Sequence, residues 1–273
     1  DLKPFVVGTP PPTRGGRYFL FLKLVTDDGI EGLGECYAAS FGPSVFEAFA
    51  RDLFDKHLLG ADPFRIEALW RNVYGRGYTQ RPDVSLMGML SGFEMAMWDI
   101  VGKACDKPVY QLLGGKVHER LRSYTYLYPG ADEDAYAESP VYSDPDAAAA
   151  RALDYMRMGF TAVKFDPAGP YSTFDPRQPS LERMELSERF CKRIREAVGT
   201  GCDLLFGTHG QFTVSGARRL AQRLEPYAPL WFEEPTPPEM PEEMAKVAAS
   251  TTIPISTGER LATKYEFARV LAC

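Results

Sequence analysis

Four short apolar stretches of this chain run into polar side chains able to do chemistry. Residues 162–165 lead through Lys164 to Asp166, and residues 203–206 lead to Gly207, Thr208 and His209. Residues 230–233 end in Glu233 and Glu234, and residues 254–257 are followed by Gly258 and Glu259. Glu233 and Glu259, on neighbouring strands, offer the hard oxygen donors that suit Mg²⁺ or Mn²⁺. The same two carboxylates could instead pair with nearby cations such as Arg260. A lysine beside a bound cation can act as a base when desolvation and that cation lower its pKa. Lys164 is placed for this, or for a salt bridge with Asp166, two residues on and therefore on the same strand face. Gly207 and His209 share a face by the same rule. His209 stands out from His57 and His118 only by its position at a strand end, and imidazole exchanges protons near neutrality.

Strand ends are where such groups matter, because parallel β/α folds gather their functional side chains where strands give way to loops. The pattern after Arg120 is of that kind. Apolar strands are predicted at 122–127, 162–165, 203–206, 230–233 and 254–257, each followed by a stretch with helical character. Residues 146–158 present Ala149, Ala152, Leu153 and Met156 on one helical face, and residues 215–224 present Ala217, Leu220, Ala221 and Leu224. Five β/α units result, the last helix reaching Leu271. Five cannot close a barrel that takes eight. The helix at 264–271 lacks a closing glycine and Asp1 has no obvious strand before it, so the expectation is a chain cut at both ends.

The first part reads differently. Residues 18–26 are rich in β-formers, and Asp27-Asp28-Gly29 is a turn signal leading into residues 30–37. Amphipathic helices are predicted at 44–57 and 63–74, with a third, apolar almost all round and therefore buried, at 88–104. An antiparallel strand pair on a helical bundle is expected, an α+β domain over residues 1–118, followed by a partial barrel over 119–273. The glycine pairs at 15–16 and 114–115 match no phosphate-binding fingerprint and read as turns.

Composition narrows the function classes. The chain has 273 residues, 45% hydrophobic and 25% charged, enough for a sizeable core. A net charge of −6 with scattered Lys and Arg gives no footprint for nucleic acid or an acidic membrane surface. Five cysteines, widely spaced and without a CxxC pair, argue against a disulfide framework or a zinc site and fit a reducing compartment. No apolar run is expected to reach the ~20 residues of a membrane span, and a cytoplasmic location is the default.

Several segments together carry a family resemblance. GFEMAMWDIVGKACDKPVYQLLGG (92–115), DDGIEGLGE (27–35), WFEEP (231–235) and PISTGER (254–260) occur in the order found in the mandelate racemase/muconate lactonizing enzyme branch of the enolase superfamily. GFTAVKFDP and THGQ are most similar to its sugar-acid dehydratases, of galactonate dehydratase type. The resemblance covers essentially the whole chain. It implies an α/β architecture, an α+β capping domain on an incomplete, TIM-like (β/α)₇β barrel, and homo-oligomeric assembly. It implies Mg²⁺ held by carboxylates ending the third, fourth and fifth barrel strands, the last two being Glu233 and Glu259, 26 residues apart. Counting 26 back from Glu233 gives Gly207, where most members carry Asp. His209 matches the histidine that follows that Asp in the dehydratases. The family's His-Asp pair and a further acidic strand end would fall beyond Cys273.

The implied chemistry is removal of the proton beside a carboxylate, with a divalent cation offsetting the enediolate charge. In a dehydratase, a general acid then protonates the departing 3-hydroxyl, for which His209 is the candidate, and Lys164 assists or acts as base. A small hydroxy-carboxylate is the expected substrate, contacted by Asp166 and, from the capping loops, Arg17, Tyr18 and Tyr37. Racemase or cycloisomerase siblings share the first half-reaction, and a homologue short of one metal ligand and the last strands could lack catalysis altogether.

Overall fold

Leucines at alternate positions decide the architecture of the N-terminal unit. In the computed structural model, which describes residues 1–8, 18–37, 42–75, 83–130, 139–166 and 177–273, β2 (Tyr18–Val25) buries Leu20, Leu22 and Leu24 on one face. β2 pairs antiparallel with β3 (Glu31–Cys36) and, on its other side, with β1 (Leu2–Gly8), giving a three-stranded sheet in the order β1-β2-β3. The first strand corrects the expectation of a strand pair with the chain start outside it. Leu2 sits opposite Leu24, and the terminal ammonium of Asp1 donates to the Val25 carbonyl at 2.7 Å. Pro4 is compatible with this strand because β1 is an edge, where one missing backbone donor is tolerated.

Helices α1 (Pro43–His57), α2 (Ile66–Gly75), α3 (Val84–Ala104) and α4 (Val109–Leu112) follow. α3 begins one turn before its predicted start because Asp83 caps it, its carboxylate accepting from the Ser85 amide at 2.8 Å. This helix is long and apolar enough, by length and composition, to cross a membrane, contrary to the expectation that no stretch reached that limit. Its apolar side is spent on the sheet. Phe93, Ala96, Met97 and Ile100 are buried with Leu20, Leu22, Phe46 and Ala50 in one core. Three glycines let the helix come close: a Cβ on Gly32 would strike the Ala96 carbonyl, one on Gly34 the Gly92 carbonyl, and one on Gly92 the Cys36 sulfur.

The C-terminal unit, Leu121–Cys273, follows the N-terminal unit, Asp1–Arg120. Its strands β4 (Thr125–Tyr126), β5 (Ala162–Phe165), β6 (Asp203–Gly207), β7 (Trp231–Glu233) and β8 (Ile255–Ser256) form one parallel sheet in chain order. Between and after them run α5 (Pro145–Arg157), α6 (Leu181–Val198), α7 (Val214–Leu224), α8 (Pro241–Ala248) and α9 (Thr263–Leu271). Strand periodicity sorts the side chains. Val163, Phe165, Leu204, Phe206 and Phe232 join Ala149, Ala152, Phe190, Ile194, Leu220 and Ala221 in the helix-side core. The alternate positions Lys164, Leu205, Gly207 and Glu233 therefore share the opposite face, which collects the polar groups.

Candidate site at the ends of strands five, six and seven

Lys164 and Glu233 are the centre of that face. Both are buried, Lys164 at 9% and Glu233 at 8% exposure, where an unpaired charge would be costly. The Lys164 Nζ donates to Glu233 Oε1 at 2.7 Å. The other carboxylate oxygen, Oε2, accepts the Trp231 indole Nε1–H at 3.2 Å. The two charged residues are not on adjacent strands, since β6 lies between β5 and β7. Gly207, the register partner of Glu233, is what allows the lysine across. A Cβ at position 207 would lie 2.5 Å from Lys164 Cε and 3.4 Å from its Nζ. The lysine stem occupies the space that any side chain at 207 would need.

The end of β6 is pinned to the end of β7. The Thr208 hydroxyl, fully buried, lies 2.7 Å from the Glu233 carbonyl and 2.8 Å from that of Glu234. The Gly210 amide donates to the same Glu234 carbonyl at 2.7 Å. Beyond this stitch the chain turns: His209 has φ 53° and Gly210 φ 73°. His209 therefore leaves the strand and does not follow the alternation expected from Gly207. It is half-buried, and burial lowers its pKa from the ordinary value. The Glu259 and Glu233 carboxylates work against that shift, while Lys164 and Arg260 add to it. The net effect of burial and these charges is to favour the neutral imidazole.

Glu234, wholly buried and at φ 42°, belongs to a separate pair. Arg260 grips its Oε2 through Nε at 2.9 Å and Nη2 at 2.5 Å. Burial raises the Glu234 pKa, and Arg260 opposes the rise. Arg260 lies 3.9 Å from Glu259, so its main partner is Glu234 rather than either expected metal ligand. Asp166 does not take the Lys164 ammonium; its Oδ1 accepts from the Gln211 amide at 3.4 Å. Gln211, buried at the turn after His209, and Trp231 were not singled out from sequence, although the THGQ and WFEEP segments contain them. Tyr18 and Tyr37 belong to the N-terminal unit, exposed at the start of β2 and just after β3. Arg17 lies outside the described residues.

A divalent ion does not fit this donor set as arranged. Among the described residues no three carboxylate, imidazole or thiol groups converge on one point. Glu233 already has a cation on one oxygen and an indole on the other. An Mg²⁺ ion brought to Glu233 would face the ammonium at roughly 4 Å, a repulsion on the order of 8 kcal/mol at an effective dielectric of about 20. Glu233 and Glu259 could hold a metal only with the lysine displaced.

Comparison with known proteins gives a consistent pattern. Residues 2–114 match the N-terminal domain of mandelate racemase/muconate lactonizing enzymes, and residues 147–273 match the enolase C-terminal domain-like family. D-galactonate dehydratase of Xanthomonas oryzae pv. oryzae (strain PXO99A) is 36% identical over 253 residues, which is 93% of this chain and 61% of that protein. The chain thus spans about three fifths of the length of such relatives. A solved protein of Labrenzia alexandrii DFL-11, provisionally described as a mandelate racemase/muconate lactonizing enzyme, is 64% identical. It superposes with a TM-score of 0.93 over 100% of this chain and 69% of its own. The mandelate racemase/muconate lactonizing enzyme of Jannaschia sp. CCS1 is 50% identical with a TM-score of 0.93, over 100% of this chain and 70% of that one.

Proposed function

We propose, from the premise that this chain belongs to the mandelate racemase/muconate lactonizing enzyme family of the enolase superfamily, that the intact protein dehydrates a sugar acid. The galactonate dehydratase relatives support the substrate class. The observation that carries the reading is the buried Lys164–Glu233 pair at the strand ends, with the half-buried His209 on the turn that directly follows β6. The C2 proton of a hydroxy acid is weakly acidic because its removal places a second negative charge on the carboxylate. A cationic group beside that carboxylate offsets the charge. His209, neutral at rest, accepts a proton and, once charged, returns one to the C3 oxygen as the C3–O bond breaks and water leaves. The enol that remains becomes a 2-keto-3-deoxy acid on reprotonation at C3. Asp166 and Gln211 are placed at the same strand ends to orient hydroxyl groups, and Arg17, Tyr18 and Tyr37 are further candidates for binding them.

Mg²⁺ or Mn²⁺, expected from the family, enters this reading only if Glu233 gives up Lys164 to join Glu259. Homo-oligomeric assembly and work in the cytoplasm belong to the same proposal. A second reading, a homologue that holds an acid without turning it over, is favoured by Gly207 in place of a carboxylate. The test supplies aldonic and aldaric acids, D-galactonate among them, to the intact protein and measures 2-keto acid. Formation of that product supports the proposal. Deuterium uptake at C2 without it would indicate a racemase, and neither signal from any acid would leave the non-catalytic reading.

A further inference from the structure

We propose that the Lys164 ammonium is the resident cation of this site, standing where a carboxylate-held divalent ion would otherwise be gripped. The assignment of a substrate to this cation rests on the dehydratase reading, in which the ammonium faces the substrate carboxylate. Three observations carry it. Positions 207 and 233 are register partners on one face of adjacent strands, so carboxylates at both would lie about 5 Å apart and could share one cation. Position 207 has no side chain, and the volume that its Cβ would enter is filled by Lys164 Cε. The lysine's charged end completes the arrangement on Glu233 at 2.7 Å, with both groups buried.

The space that a side chain at 207 would need and the position of the positive charge thus coincide. A metal ion carries two charges and is held by several anionic groups, whereas an ammonium needs only one carboxylate to balance it. Glu233 is that one. Trp231 holds its second oxygen, which keeps the carboxylate from turning toward another cation. Glu234, the other buried carboxylate nearby, is kept out of the exchange by Arg260. A compact, hydrogen-bond-donating cation at a strand end is suited to a small carboxylate, since it supplies both charge and donors.

The test uses Mn²⁺ as the probe and follows the electron paramagnetic resonance signal of the free ion as intact protein is added. The wild-type protein is expected to leave the signal unchanged. Gly207→Asp combined with Lys164→Ala, which supplies a second carboxylate and removes the ammonium, is expected to cause its loss. Circular dichroism spectra of both proteins check that each is folded. Loss of signal with wild-type protein that Glu233→Gln abolishes would overturn the proposal, because Glu233 would then be holding metal. In the dehydratase assay, a rate unchanged by EDTA is expected, and a rate that EDTA removes and Mg²⁺ restores would also overturn it. The Mn²⁺ readout needs no turnover. A protein that takes up no Mn²⁺ and dehydrates no acid would therefore refute the dehydratase reading and leave this one standing.

Discussion

Substituting Gly207 by alanine tests the crossing of Lys164 over β6 directly. The added methyl would sit 2.5 Å from Lys164 Cε, well inside van der Waals contact, and the lysine cannot simply swing away because its far end is held on Glu233. Overpacking of this kind costs about 1–3 kcal/mol. Gly207 is not among the residues with positive φ, so alanine adds no backbone strain and restricts the unfolded chain, a gain of about 0.4–1 kcal/mol. The net expectation is a loss of about 1.5 kcal/mol from those two ranges. In a Lys164→Ala background the obstructing carbon is absent, so the same substitution should be neutral or mildly stabilising. The cycle should therefore show a coupling of about 2 kcal/mol between positions 164 and 207, against ~0.5 kcal/mol for independent sites. Urea unfolding followed by Trp231 emission, with Trp70 and Trp98 replaced by phenylalanine, reads the C-terminal unit alone. Additive effects, with coupling below about 0.5 kcal/mol, would refute the packing argument.

Three further outcomes are expected. Arg260→Met should cost about 3 kcal/mol at neutral pH, since it leaves the Glu234 carboxylate buried without its cation. Burial raises the Glu234 pKa, so the folded state binds more protons there than the unfolded chain does; its contribution is full below the unfolded value and lost as pH rises through the folded one. The variant's deficit should accordingly shrink on acidification, measured as its urea midpoint relative to wild type. His209 has the opposite sign of slope, because its lowered pKa makes the folded state bind fewer protons; its contribution is full above the ordinary histidine value and lost as pH falls through the lower, folded-state one. His209→Asn, which tolerates the positive φ, should flatten that part of the stability profile, as followed by thermal unfolding across the pH range. Thr208→Val should cost about 1 kcal/mol by urea unfolding, no more, because each of its two acceptor carbonyls keeps a backbone amide.

How far the sequence foretold all this depended on whether the determining contact was local. β2 and β6 are evident because each is a short apolar run, aromatic and leucine-rich, that lies within a few residues. β1 escapes a local reading because Pro4 sits inside it and interrupts the pattern of a paired strand. Its antiparallel ladder with β2, from Leu2 opposite Leu24 to Gly8 opposite Tyr18, makes it a strand. The candidate residues at the strand ends were visible from the same alternation, but their partners were not. Spacing offers Lys164 a role as base beside a cation or a salt bridge with Asp166, two positions on, whereas its ion-pair partner, Glu233, comes from two strands away. That choice depends on register and on what a glycine leaves open, neither of which short-range spacing reveals. His209 shows the complementary failure, since a period-two rule holds only while the strand continues and β6 ends at Gly207.

The three glycines between α3 and the N-terminal sheet set a limit on how that unit can change. Most cores adjust their thickness by exchanging a larger side chain for a smaller one, but at Gly32 and Gly34 the strand meets main-chain carbonyls of α3, those of Ala96 and Gly92, which no substitution can shorten. The gap between helix and sheet is already at its minimum. A side chain at either position would have to push the helix off the strand, so these two contacts hold the layer spacing constant whatever changes around them.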